Sequence, residues 1–280
     1  MHGYNVSRWL ISQVGVPGVW MILLITAICF FIYISARTVI WLRKLFALSF
    51  LKREKKEKEE VIPEGVLSML PKLHTYVVEA TRTARRYLSA AGLKGHIQEL
   101  EFHELNEHTK PEEVEALLPL FNDGNDVGLI TEAGLPAVAD PGAQLVSLCH
   151  KHGIEVVPCS GPSSLMLALM ASGLNGQSFA FLGYIPAKTD ERRQALKSIE
   201  RHSASERQTK IFIETPYRND SLLADILANC QGSTELCIAA NITMPDAYIR
   251  TKTIDGWKRE VAGRKDFIGK RPCVFLILAH

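Results

Sequence analysis

The sequence lacks any regular arrangement of cysteine. Its six cysteines include no C-x-x-C pair and no repeated spacing, which excludes a disulfide framework and the common zinc sites. Most of them lie in apolar runs, where a cysteine is usually a small buried hydrophobe, and a reducing compartment fits them best. No metal is expected, and none of the six is assigned to catalysis: Cys29, Cys149, Cys159, Cys230, Cys237 and Cys273.

The sequence also has little net charge and little repetition. The 32 basic and 30 acidic side chains give a formal net charge of +2, so bulk charge indicates neither a nucleic-acid binder nor any other substrate class. The single biased segment is Lys52–Glu60, which alternates basic and acidic residues and is interpreted as a solvated linker. With 280 residues and 47% apolar content, one anchor plus two compact lobes is a reasonable expectation.

Long apolar runs are confined to the N-terminal part. Val14–Ile34 carries no charged side chain, and about 20 apolar residues suffice to span a bilayer as a helix. Basic residues follow this run while only Arg8 precedes it, so the sequence predicts a single-pass membrane protein with its C-terminal bulk in the cytoplasm. Two alternatives stay open: a cleaved signal peptide, and an N-terminus joined by a gene-model error or a fusion, which would leave a soluble cytoplasmic protein.

After Val61 short β-rich runs alternate with amphipathic stretches, the pattern of α/β layers. We therefore expect an anchor and linker over residues 1–60, an incomplete N-terminal α/β lobe over 61–176 and a C-terminal α/β lobe over 177–280, with parallel or mixed sheets. The predicted strands are His74–Glu79, Ile97–Glu104, Asp126–Glu132, Glu155–Cys159, Phe179–Ile185, Lys210–Glu214, Glu235–Ala240 and Pro272–Ala279. The predicted helices start near Val66, Thr83, Pro111 and Ala143 and cover Asp190–Arg201 and Arg218–Cys230. Thr109 and Glu112 have the spacing of a capping box for the third of these helices.

Two loops after predicted strands have unusual composition. The first, T-E-A-G-L-P-A-V-A-D-P-G over Thr131–Gly142, combines glycines that permit special backbone conformations with prolines that stiffen them. The second, S-G-P-S-S over Ser160–Ser164, opens a helix. Ligands of open parallel sheets bind outside the carboxyl ends of the strands. Because both loops follow predicted strands, we expect them to lie side by side and form a ligand site, although each alone is a common type of connector.

Polar residues follow the first two predicted strands. Glu79, Thr81 and Arg82 are candidate substrate contacts, with an ordinary exposed helix start as the alternative. A second group either orients a polar substrate or forms a solvated turn: His103, Glu104, Asn106, Glu107 and His108. Seven basic residues offer dispersed phosphate contacts: Arg82, Arg85, Arg86, Lys188, Arg192, Arg193 and Arg218.

Several of these segments resemble motifs of one family, in the family's order. Thr131–Gly142 is similar to S-D-A-G-T-P-x-x-x-D-P-G, and Glu79–Arg82 to E-D-T-R. Ser160–Ser164 resembles a P-G-P-S loop, Leu182–Lys188 a G-F-L-P-x-K segment, and Glu214–Arg218 an E-S-x-H-R segment. From about Val61 to His280 the chain thus resembles the tetrapyrrole methylase superfamily, and within it the branch that methylates a ribose 2′-hydroxyl of small-subunit rRNA.

The resemblance implies a two-lobed fold and a methyltransferase that uses S-adenosylmethionine. It implies cofactor binding by seven loop residues: Glu132, Ala133, Gly134, Pro136, Pro162, Ser163 and Ser164. Glu79 and Arg82 are the candidate catalytic residues, and the catalytic residue itself stays unknown. The partners implied are RNA of the small ribosomal subunit and, through the N-terminal segment, a membrane, with a homodimer as a further expectation. Methylation of a tetrapyrrole carbon and an inactive membrane-anchored binding protein are the alternatives.

The sequence departs from the family pattern in three places. The family's opening strand and loop, L-Y-x-V-x-T-P-I-G-N, has no counterpart before the helix near Pro63, although it forms part of the cofactor cleft. Asn241–Met244 stands where the family has R-E-L-T-K, and Ala80 stands where E-D-T-R has its aspartate. A parallel sheet without a central strand exposes backbone groups at an edge, so the first departure bears directly on activity.

Overall fold

The computed structural model describes residues 16–17, 20–21, 23–26 and 63–280. The chain divides between Glu57 and Lys58, and the fold below belongs to the second unit. Within these described ranges no helix is both long and apolar enough to cross a membrane. The predicted localisation as a single-pass membrane protein is wrong on this finding, because a span needs a helix of about 20 apolar residues and none of the described helices meets that requirement. The remainder of Val14–Ile34 lies outside the described residues.

The described part alternates strands and helices. The strands are Thr75–Val78 (β1), Glu101–Glu104 (β2), Val127–Ile130 (β3), Phe179–Tyr184 (β4), Thr209–Ile213 (β5), Glu235–Ala240 (β6), Tyr248–Thr253 (β7) and Cys273–Leu278 (β8). The α-helices are Glu64–Met69 (α1), Thr81–Leu88 (α2), Pro111–Glu115 (α3), Ala143–Lys151 (α4), Ser164–Ser172 (α5), Thr189–Glu206 (α6), Asn219–Asn229 (α7) and Ile254–Val261 (α8). Short 3-10 helices cover Leu70–Lys72, Ile97–Glu99, Leu118–Gly124 and Pro216–Arg218, and a π-helical turn covers Ser89–Leu93.

The first sheet is parallel and has the order β2-β1-β3. In its central strand Tyr76, Val77 and Val78 are buried, because helices cover both faces of the sheet. Tyr76 and Val78 face a core built with α2, while Val77 faces a core built with α3 and α4. The three strands therefore end at one carboxyl edge, where the loops that follow them meet.

Tyr76 and Gly128 are paired across β1 and β3. The Tyr76 ring is fully buried and its hydroxyl donates to the carbonyl of Leu70 at 2.9 Å. A Cβ atom on Gly128 would lie 2.7 Å from a carbon of that ring, closer than van der Waals contact permits. Glycine is thus required at position 128 to seat the tyrosine.

Replacing Gly128 by valine is expected to lower the free energy of unfolding, because the added side chain overpacks the Tyr76 site. Overpacking of this kind costs about 1–3 kcal/mol. Urea unfolding followed by circular dichroism measures the change. Gly176→Val, at a glycine with no atom within 4 Å of its Cβ position, is the control, and equal losses in the two variants would contradict the packing explanation.

The second sheet is mixed and has the order β4-β5-β8-β6-β7. Only β4 and β5 run parallel, and the remaining pairs are antiparallel. On one face α6, α7 and α8 build the larger core, which contains the fully buried Trp257. On the other face α5 packs through Ala168 and Leu169 against β5, β6 and β8.

The structure corrects the sequence-based assignment in several places. Glu155–Cys159 forms no strand, because a strand needs a pairing partner, and its neighbour in chain order, β3, pairs with β1 alone. The predicted strand Ile97–Glu104 shortens to β2. The third helix is capped one residue later than predicted, since the Lys110 N–H donates to Glu113 Oε2 at 2.7 Å. Two elements were missed, β7 and α8.

A candidate ligand site at the carboxyl edge of the first sheet

Side-chain carboxylates tie together the loops at the carboxyl edge of β1, β2 and β3. Glu79, directly after β1, accepts a hydrogen bond from the Glu132 N–H at 3.0 Å, which connects it to the loop after β3. Glu104, the last residue of β2, accepts one from the Thr81 N–H at 3.0 Å and so caps α2. This bond to a backbone N–H lowers the pKa of Glu104. Both carboxylates thus hold backbone N–H groups in place, those of Glu132 and Thr81.

A third carboxylate was not singled out from the sequence. Asp140 belongs to the D-P-G end of the first loop, and its partial burial, together with the nearby Glu79 carboxylate, raises its pKa to about 6. Its Oδ2 lies 3.9 Å from the position that a Cβ on Gly134 would occupy. The carboxylates of Glu79 and Asp140 thus lie beside the Glu132–Gly134 turn, and Asp140 has a pKa of about 6. The signal for Asp140 in the sequence was its place in the motif itself.

The first loop, Thr131–Gly142, is held in an uncommon backbone conformation. Gly134 has φ 77°, and the non-glycine residues Ala137 and Ala139 have φ 65° and 64°. Left-handed conformations are unfavourable for residues with a Cβ and persist only where the surroundings enforce them. Here the Ala137 N–H donates to the Pro141 carbonyl at 3.2 Å and closes the turn. The exposed segment Glu132–Gly134 is therefore presented on a rigid support.

The two loops predicted to lie side by side do so. A Cβ on Gly161 would lie 3.0 Å from the Leu135 Cδ2 atom, so the second loop runs against the first. Pro162 and Ser163 lead into α5, with Ser163 as the N-cap residue and Ser164 as the first helical residue. Because the body of α5 packs on the second sheet, this helix fixes where its first turn meets the Thr131–Gly142 loop.

One side of the carboxyl edge has no pairing strand among the described residues. The Glu79 N–H donates to the Ile130 carbonyl at 3.3 Å. In a parallel ladder the backbone N–H and C=O groups of Ile130 therefore point toward β1, and those of Leu129 and Thr131 point away from it. No strand among the described residues pairs with that outer side of β3. Val157, in the segment that was predicted to be a strand, is 63% exposed. Among the described residues, the outer side of β3 is thus an unpaired sheet edge.

The predicted phosphate contacts separate into two groups. Arg192 is buried and donates from Nε to Asp225 Oδ2 at 2.7 Å, and Arg193 binds Asp225 Oδ1 at 3.3 Å. Lys188 binds Glu191 at 3.1 Å and Arg218 binds Glu214 at 2.6 Å. Each of these four cations is therefore paired with a carboxylate of the C-terminal lobe, and of the four only Arg192 is buried. The others, Arg82, Arg85 and Arg86, are exposed along α2, where no carboxylate among the described residues pairs with them.

The polar residues after β2 mostly form a turn. The Asn106 N–H donates to Thr109 Oγ1 at 2.9 Å, and the His108 N–H donates to Asn106 Oδ1 at 3.0 Å. His103 contacts Glu101 at 3.0 Å. Within the described ranges no three His, Cys, Asp or Glu side chains converge in a way that would hold a metal ion.

Comparison with known proteins identifies relatives in sequence. A match of 34% identity over 182 residues links the chain to "Ribosomal RNA small subunit methyltransferase I" of Escherichia coli O157:H7, over 65% of this chain. A Thermotoga maritima protein of the same name is 38% identical over 138 residues, or 49% of this chain. In both comparisons the chain spans 60% of the relative's length.

A solved structure and a family match complete the comparison. The crystal structure of the methyltransferase CobJ superposes with a TM-score of 0.51 over 78% of this chain and 87% of that one, at 16% identity, and so has the same fold. Residues 58–256 match the family Tetrapyrrole (Corrin/Porphyrin) Methylases. Because that match covers more than half of this chain, the chain belongs to the tetrapyrrole methylase family.

Proposed function

We propose that this chain binds S-adenosylmethionine at the carboxyl edge of the first sheet and methylates a ribose 2′-hydroxyl in RNA of the small ribosomal subunit. The observation that carries the proposal is the pair of carboxylates, Glu79 and Asp140, facing the exposed Glu132–Gly134 turn. The name and similarity of the relatives direct the proposal to rRNA.

The carboxyl edge fits the proposed cofactor in charge. S-adenosylmethionine carries a positive sulfonium and a positive ammonium group, and it supplies an activated methyl group when bound. Glu79 and Asp140 offset those charges, while Glu132, Ala133, Gly134 and Pro136 offer exposed or half-buried backbone on the first loop. Pro162, Ser163 and Ser164 contribute from the second loop. Methyl transfer then depends on holding the acceptor oxygen in line with the methyl carbon.

The two candidate catalytic residues take different parts in this proposal. Glu79 is bonded to the Glu132 N–H, so it positions the first loop rather than acting as a free base. Arg82 is exposed in the first turn of α2, next to the carboxyl edge. Its guanidinium is free to contact an RNA phosphate near the acceptor ribose.

The titration of Asp140 yields a testable pH dependence. With its pKa near 6, Asp140 is about nine-tenths protonated at pH 5 and mostly ionised above pH 7. Because a cationic ligand prefers the ionised form, its affinity should rise about tenfold from pH 5 to pH 7.5. Calorimetric titration with S-adenosylmethionine across this range measures it. Asp140→Asn should flatten the profile, and an unchanged profile in that variant would contradict the assignment.

Transfer itself is tested with tritium-labelled S-adenosylmethionine and purified small ribosomal subunits. The proposal expects label in the rRNA that survives alkaline hydrolysis as a 2′-O-methylated dinucleotide. Label in a tetrapyrrole acceptor instead would move the assignment to the other enzymatic alternative.

A second candidate function is binding of the methyl donor without transfer. The outer side of β3, which no strand among the described residues pairs with, is compatible with this candidate. Cofactor affinity in calorimetry together with no label in rRNA would select this candidate.

A further inference from the structure

A shallow hollow of about 600 Å³ lies beside the C-terminal half of α2. Its lining includes Arg85 and Arg86 of the helix and Lys94, which follows the π-helical turn. Ala90 and Ile97 add apolar lining. We propose that this hollow, called the α2 hollow from here on, docks a single-stranded stretch of the RNA substrate.

The positive side chains of the α2 hollow form no ion pair with a described carboxylate. Among the residues that the structure describes, no carboxylate pairs with Arg85, Arg86 or Lys94, whereas the nearby acids Glu99 and Glu101 contact His96 and His103. Arg82 and Arg86 are also four residues apart on one helix, a spacing at which like charges repel. The local excess of positive charge is therefore stabilised by a polyanion.

The shape and the apolar lining of the α2 hollow favour RNA. Its open form suits a polymer that passes across it rather than an enclosed small molecule. The Arg85 guanidinium lies 5.1 Å from the centroid of the Phe102 ring, which holds one face of the guanidinium plane in place. RNA-binding proteins stack unpaired bases on such planes and on apolar side chains while cations contact the phosphates. The hollow offers both kinds of contact within one site.

The position of the α2 hollow suits the proposed reaction. Helix α2 begins at Thr81, whose N–H is bonded to Glu104 at the carboxyl edge, and its eight residues span about 12 Å. Arg82 lies in its first turn and the α2 hollow at its far end. One RNA strand running along α2 therefore contacts both, so the hollow deepens the proposed function and rests on it for the identity of the substrate.

The test uses the full chain, a fluorescein-labelled single-stranded RNA of mixed sequence and anisotropy over a range of KCl. The triple variant Arg85→Gln, Arg86→Gln, Lys94→Gln should bind roughly tenfold more weakly at 0.1 M salt. Its salt dependence should lose about two units of slope, since each phosphate contact contributes about 0.7 in single strands. A matched control removes three other exposed cations: Lys197→Gln, Arg201→Gln and Lys265→Gln.

The proposal stands if the α2 variant loses affinity and slope, the control does not, and both bind S-adenosylmethionine as the original chain does. Equal losses in the two triple variants, or an α2 variant with undiminished RNA affinity, would overturn it. Binding of the original chain to anionic phospholipid vesicles but not to RNA would also overturn it. A chain that binds RNA through the α2 hollow and shows no affinity for S-adenosylmethionine would sink the proposed function and leave the hollow intact.

Discussion

Replacing Gly134 by arginine is expected to weaken binding of S-adenosylmethionine by roughly a hundredfold or more. Gly134 has φ 77°, and its missing side chain points toward Asp140. An arginine there places a permanent cation among the carboxylates that are proposed to receive a cationic ligand. A loss of about 2.8 kcal/mol corresponds to a hundredfold in affinity, and like charges brought together at a binding site cost several kcal/mol. Calorimetry with the purified variant measures the change.

The control for this prediction is Gly263→Arg. Gly263 has φ 73°, almost the value at Gly134, and nothing lies within 4 Å of its Cβ position. Both variants therefore carry a similar backbone strain, but only Gly134→Arg adds a charge to the carboxyl edge. If Gly263→Arg lost as much affinity, the effect would come from strain and not from the site. If Gly134→Arg retained full affinity, the proposed cofactor position would be wrong.

Replacing Asp225 by alanine is expected to destabilise the C-terminal lobe by about 3–5 kcal/mol, because it leaves a buried guanidinium without its partner. Arg192 and Asp225 are 5% and 7% exposed, and Arg192 donates to Asp225 through Nε and Nη2. Urea unfolding monitored by tryptophan fluorescence, with circular dichroism as a second probe, measures the loss.

The double variant Arg192→Met, Asp225→Leu is the matched control for the buried pair. Replacing both charges by apolar side chains of similar size is often neutral, so most of the stability should return. A double variant as unstable as Asp225→Ala would show that the lost contribution was packing rather than an unpaired charge. RNA affinity should be unaffected by the double variant, since Arg192 faces Asp225 and not solvent.

Local patterns were sufficient to predict most of the secondary structure. The apolar runs that became β1, β3, β6 and β8 were found because their residues are suited to a buried sheet. The meeting of the two glycine-containing loops was also predicted, but on the premise that Glu155–Cys159 forms a strand before the second loop, and it forms none. Gly161 against Leu135 confirms that they meet. The roles assigned to the residues of those loops stay predictions.

The predictions that failed concerned residues whose structure depends on partners far away in the chain. The composition of Glu155–Cys159 suits a strand, but pairing requires a neighbour that periodicity cannot reveal. Arg192 looked like a phosphate contact because nothing near it in the sequence indicates Asp225, 33 residues away. The strand β7 was missed because it lies at the edge of its sheet and alternates polar residues. Asp140 was missed because its raised pKa results from burial and from Glu79, which is distant in sequence.

Helix α5 has a consequence for how the two halves of the fold work together. Its Ala168 and Leu169 are buried against the second sheet, while Gly161, just before it, touches Leu135 of the first loop. Because a short helix moves as a rigid body, a displacement of one end of α5 also displaces the other end. A ligand held by the Thr131–Gly142 loop would therefore be linked through α5 to β5, β6 and β8. The two sheets are thereby mechanically coupled, although each has its own core.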